Sequence, residues 1–112
     1  MADQETSNRK NDWRRTAAAL APANYQAFLT FSEAVFTDGA LPRKTKQLIA
    51  VAVAHVTQCP DCIKSHTRSA VSSGASPKEI MEAIWVAGEM RAGATYAHSR
   101  LAIEALTDKT GP

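Results

Sequence analysis

A chain of 112 residues is one domain's worth of polypeptide, able to bury roughly two-thirds of its unfolded surface without metals or disulfides as props. Thirteen Lys and Arg against eleven Asp and Glu leave a formal charge of +2, too balanced and scattered for a nucleic-acid surface. Two cysteines make no secreted disulfide framework, and no stretch reads as a signal peptide or approaches the ~20 apolar residues of a membrane span. A reducing cytoplasm is therefore the expected setting, with small molecules or proteins rather than membranes or nucleic acid as partners.

Residues 1–12 are almost wholly polar and are expected to form a disordered tail. From Trp13 to Phe36 the apolar side chains recur at three- and four-residue intervals, with Pro22 as an interruption. That spacing predicts a short helix, a break near Pro22, and a second helix to about Thr37. Asp38-Gly39 signals a turn, and Leu41-Pro42 opens an element running to about Gln58. Its centre, Leu48-Ile49-Ala50-Val51-Ala52-Val53-Ala54, resembles a buried strand. Alternating alanines and a length of about sixteen residues favour helix, and a helix apolar on all sides is expected to be buried on all sides.

A helix carrying both cysteines should follow and close at Ser73-Gly74. Ser76-Pro77-Lys78-Glu79 then has a capping serine, a proline in first position and a glutamate three residues on, the pattern of a capping box. Beyond it, Ile80 to Ala87 is apolar on more than one face, and Gly88, Ala92, Gly93 and Ala94 permit close helix contacts. A last helix is expected from about Ala94 to Leu106, and 108–112 as a tail. The fold class is all-α: a single compact helical domain over 13–107 that oligomerises through its apolar helices, since so small a domain cannot cover them alone.

Chemistry concentrates in Cys59-Pro60-Asp61-Cys62-Ile63-Lys64-Ser65-His66. On a helix, positions 59, 62 and 66 share one face, which stacks two thiols and an imidazole. Pro60 suits a first helical position and puts Cys59 at the cap, where the helix dipole and free N–H groups favour a thiolate. Haem attachment is excluded, because Ile63 rather than histidine follows the second cysteine. Three readings remain: a redox pair, a zinc site drawing on Cys59, Cys62, His66 and His55, and inert buried cysteines. His66, one turn after Cys62, is placed to exchange protons with a thiol. His55, one turn before Cys59, either joins that pocket or is held by the helix dipole. For His98 a packing or interface role is favoured.

Leu41-Pro42-Arg43-Lys44-Thr45-Lys46-Gln47-Leu48-Ile49-Ala50-Val51-Ala52, followed by Cys59-x-x-Cys62-x-x-x-His66-Thr67 and by Gly74-Ala75-Ser76 with Glu79-Ile80 and Glu82-Ala83, resembles the carboxymuconolactone decarboxylase and alkylhydroperoxidase D-like family. The resemblance covers roughly residues 25–105. It implies that family's all-helical fold and assembly as a homo-trimer or homo-hexamer. It also implies the branch that uses a cysteine pair for peroxide reduction or disulfide exchange; the decarboxylase branch lacks the pair.

By resemblance, then, the protein is a thiol-dependent antioxidant oxidoreductase reducing hydroperoxides through a Cys59/Cys62 dithiol cycle, with no cofactor. Its reductant would be a protein dithiol or lipoyl-type carrier. A disulfide reductase with little peroxidase activity, or a non-catalytic helical protein binding a ligand or metal, are the alternatives. Helix-start electrostatics favour Cys59 as the attacking thiol and nearness to His66 favours Cys62; the resemblance tilts toward Cys62, with Cys59 resolving. One position departs from the family pattern: the glutamate twelve residues before the first cysteine, which by resemblance serves a proton relay with the histidine, is Gln47 here. An amide orients a partner but accepts no proton. Glu33, His55 and His98 are the candidates to replace the carboxylate, with His55 preferred as nearest in the chain to Cys59 and Glu33 read as lying on a solvated face.

Overall fold

Prolines and capping side chains decide where these helices begin. The structure, a computed structural model, describes residues 13–108; the tails expected at 1–12 and beyond 108 lie outside the described residues. Its chain divides into two compact units, one through Thr37 and one from Asp38 onward. In the first unit, residues 13–20 are helical (α1), a bend falls at Ala21, and α2 spans Pro22–Phe36 with proline in its first turn. Thr37 closes α2 by donating both its backbone N–H (3.1 Å) and its hydroxyl (2.7 Å) to the Glu33 carbonyl. Tyr25, Phe28, Phe31 and Val35 are exposed on α2, as is Glu33.

Three helices make the second unit: α3 (Arg43–Thr57), α4 (Pro60–Ser72) and α5 (Pro77–Thr107). Pro42 cannot cap α3 with its side chain, and Asp38 supplies the acceptor instead, taking the Arg43 N–H on Oδ1 at 2.6 Å. The core is small. Val51, Ala70 and Ala75 are buried, with Leu48, Ile80 and Ile84 packed against them. Gln47, Val51 and Ala54 are the buried row of α3, at the i, i+4, i+7 spacing of one helical face. α4 ends at Ser73, and Gly74, at φ 100°, takes the left-handed turn that side chains disfavour.

Two expectations are corrected. α3 is not buried all round: α4 and α5 pack against it, while Ile49, Val53 and Val56 stay exposed on its remaining side. Nor do two helices follow Ser76, because α5 runs unbroken for 31 residues, about 46 Å at 1.5 Å per residue. Gly88 and Gly93 lie inside it without ending it; a glycine there costs about 1 kcal/mol, against a run otherwise rich in strong helix formers. Among the described residues a β-carbon on Gly88 would meet nothing within 4 Å, so this glycine serves no close helix contact there. Among the described residues no helix is long and apolar enough to cross a membrane.

Candidate active site

The turn between α3 and α4 is tight and aims the first cysteine. Gln58 closes α3 in the left-handed conformation (φ 57°, ψ 52°), and the Cys59 N–H returns to the Ala54 carbonyl at 3.1 Å. Cys59 is thereby the N-cap of α4, with Pro60 in the first turn as the sequence suggests. Its sulfur accepts the Cys62 N–H at 3.3 Å, one of the donors a helix start leaves without an intrahelical partner. The two sulfurs are joined as a disulfide, across a Cα–Cα distance of 5.2 Å that lies inside the normal range for such a bond.

A row of α3 meets a row of α4 behind this disulfide. Ala50, Val53, Ala54 and Thr57 from α3, with Cys62 and His66 from α4, line a cavity of about 160 Å³. Above them Gln47, only 3% exposed, turns its side-chain carbonyl to His66. The His66 Nδ1–H donates to Gln47 Oε1 at 2.8 Å, a contact that spans 19 residues of sequence. Cys59, Cys62, His66 and Gln47 are thus parts of one arrangement: a dithiol/disulfide pair at a helix start, an imidazole one turn on, and an amide holding the imidazole.

His55 stands elsewhere. Its Nδ1–H donates to the Val51 carbonyl at 2.7 Å within its own helix, and its ring lines no part of the cavity that Cys62 and His66 share. It lies in the last turn of α3, where the helix dipole favours a basic group. The zinc set of Cys59, Cys62, His66 and His55 is not gathered: among the described residues no three His, Cys, Asp or Glu side chains converge as a metal site. His98 is exposed on α5. The cavity wall of Ala50, Val53, Ala54 and Thr57 was not singled out from sequence. Its signal is the spacing of small residues at three and four positions along the face that carries Gln47.

Comparison with known proteins shows the family and the fold. Residues 22–105 match the carboxymuconolactone decarboxylase family. The chain is 61% identical over 85 residues to uncharacterised protein 4 in the cox locus of Paracoccus denitrificans, covering 76% of this chain and 77% of that one. A carboxymuconolactone decarboxylase family protein from Legionella pneumophila is similar in structure with a TM-score of 0.65 at 31% identity, over 91% of this chain and 88% of that one. Another, from Thermotoga maritima, has a TM-score of 0.55 at 29% identity, over 74% and 95%; an involvement in antioxidative response has been suggested for it.

Proposed function

The chain belongs to the carboxymuconolactone decarboxylase family, and from that premise we propose that it is a thiol oxidoreductase reducing hydroperoxides through a Cys59/Cys62 dithiol–disulfide cycle. One observation carries the reading: Cys62, one partner of the disulfide, lines the same cavity as His66. In the reduced protein the Cys62 thiolate attacks the outer oxygen of the hydroperoxide. The O–O bond breaks, an S–O bond forms, and the alkoxide leaves as an alcohol with a proton from the His66 imidazolium. Cys59 then attacks the sulfenic sulfur, water departs, and the disulfide closes. Two thiols and one hydroperoxide become a disulfide, an alcohol and a water. A protein dithiol or lipoyl-type carrier restores the thiols by exchange. The antioxidative role suggested for the Thermotoga relative lends this reading support.

To test it, the pre-reduced protein is mixed with one equivalent of cumene hydroperoxide while peroxide and free thiols are followed together. Stoichiometric loss of both, abolished in Cys62→Ser, is the expected result. Peroxide left intact while the same protein reduces a small disulfide would replace this reading with that of a disulfide reductase, which Gln47 in place of the family carboxylate favours. Homo-trimeric or homo-hexameric assembly is part of the same proposal. It is supported by Trp85, Val86, Met90, Leu101, Ile103 and Leu106, all exposed on α5. A monomer by light scattering would remove it.

A further inference from the structure

The contact between Gln47 and His66 fixes more than a ring's position. A carbonyl oxygen can only accept, so a hydrogen bond at 2.8 Å between Gln47 Oε1 and His66 Nδ1 requires the proton to be on Nδ1. In a neutral imidazole that puts the lone pair on Nε2. The amide is held firmly enough to impose this choice: Gln47 is 3% exposed, on the same buried row of α3 as Val51 and Ala54. His66 in turn shares its cavity wall with Cys62, one helical turn earlier.

We propose that Gln47 is a positioning residue which fixes His66 as the Nδ1–H tautomer, so that Nε2 is the nitrogen that exchanges protons with the dithiol. The inference rests on the reading of Cys59 and Cys62 as the working pair. In the step it supports, the Cys62 S–H bond breaks, its proton passes to Nε2, and thiolate and imidazolium result. The other proton stays on Nδ1 throughout, hydrogen-bonded to the amide oxygen. When the sulfur has reacted, the Nε2 proton goes to the departing oxygen or thiolate and the ring is neutral again. A carboxylate at this position would do two things, orienting the ring and stabilising its charge, whereas the amide does the first alone. Orientation and charge compensation are therefore separable in this chain. Gln47→Glu keeps the acceptor and adds the charge; Gln47→Met keeps the approximate volume and removes the acceptor.

Long-range proton–nitrogen correlation spectra of the full-length, nitrogen-15-labelled protein read the tautomer of His66 directly, with His66→Asn identifying its signals among the three histidines. The wild-type spectrum is expected to show the Nδ1–H form, in both the reduced and the disulfide state. Gln47→Met is expected to lose that preference. It should also slow oxidation of the pre-reduced pair about ten-fold or more, in line with the loss of part of a general-base contribution. Gln47→Glu should keep the tautomer and at least a tenth of the wild-type rate. An Nε2–H tautomer in the wild type overturns the proposal, and so does a folded Gln47→Met protein with unchanged tautomer or unchanged rate. Should Gln47→Met fail to fold, the wild-type spectrum and Gln47→Glu decide. Rates are taken with both cumene hydroperoxide and a small disulfide. A pair that neither oxidises defeats the functional reading, and the spectra still decide whether Gln47 sets the tautomer.

Discussion

α4 and α5 open on parallel sequences, Cys59-Pro60-Asp61-Cys62 and Ser76-Pro77-Lys78-Glu79, each with a capping residue, a proline in first position and a third-position side chain able to reach back. At Ser76 the exchange is a reciprocal pair of hydrogen bonds: the serine hydroxyl accepts the Glu79 N–H at 3.1 Å, and Glu79 Oε1 accepts the Ser76 N–H at 2.9 Å. At Cys59 the sulfur accepts the Cys62 N–H in the same way, but the third-position side chain returns as a covalent bond between sulfurs. The same local geometry that closes a capping box brings two thiols within bonding range. What differs is surroundings: Cys62 and His66 share a cavity wall, whereas Glu79 pairs with Lys44 at 2.9 Å on a partly exposed surface. A helix start becomes a candidate reactive site by what it faces.

Substitutions that exchange the roles of the two starts put this difference to the test. Largest is the effect of sulfur on turnover. Cys62→Ser should drop hydroperoxide consumption to the uncatalysed background, and Cys59→Ser should stop it after one equivalent, with Cys62 left as the sulfenic acid. Cys59→Ser should nevertheless keep stability within about 0.5 kcal/mol of the reduced wild type, because serine is itself a good cap. Ser76→Ala inverts the outcome: turnover per folded molecule persists, while urea unfolding should show a loss of about 0.5–2 kcal/mol.

Acid should weaken the start of α5 through Glu79. Hydrogen bonding from Lys44, followed by the Ser76 backbone N–H, holds its carboxyl below the ordinary value of 4.5. A group lowered on folding contributes stability that is complete above its unfolded value and is lost as pH falls through its folded one. Unfolding midpoints measured below pH 4.5 should thus decline less steeply in Glu79→Gln than in the wild type. The smallest effect concerns the left-handed residue in the turn ahead of each start. α4 follows Gln58 at φ 57°, whereas the turn ahead of α5 places Gly74 at φ 100°. Giving the first turn the second one's residue, Gln58→Gly, should raise stability by up to about 1 kcal/mol, since a β-carbon is disfavoured there.

The helix starts were legible in the sequence because capping is local chemistry: proline at positions 22, 60 and 77 and the serine–glutamate pair at 76 and 79 act within one turn of themselves. The cysteine–histidine face was legible for the same reason, since 59, 62 and 66 need only one helix to meet. Gln47 is different. Nothing local marks it as a partner of a histidine 19 residues on; the family resemblance flagged both the position and its relay with the histidine, and the packing of α3 on α4 brings the two groups together. His55, preferred on nearness in the chain, donates to Val51 because a histidine in a last helical turn can reach the carbonyl four residues back. The continuity of α5 was misread: a separate helix was expected from about Ala94, but the run passes through Gly93 unbroken. A glycine's cost is modest when the flanking residues favour helix, and composition alone does not show which effect prevails.

The central claim is that Cys59 and Cys62 move between thiols and disulfide at the expense of an oxidant. Mass spectrometry of the pre-reduced, full-length protein after one equivalent of cumene hydroperoxide, with free thiols blocked before digestion, measures this directly. The account predicts the loss of two hydrogen atoms, confined to the peptide that carries both cysteines, at a rate well above that of free cysteine. Two blocked thiols and unconsumed hydroperoxide would contradict it.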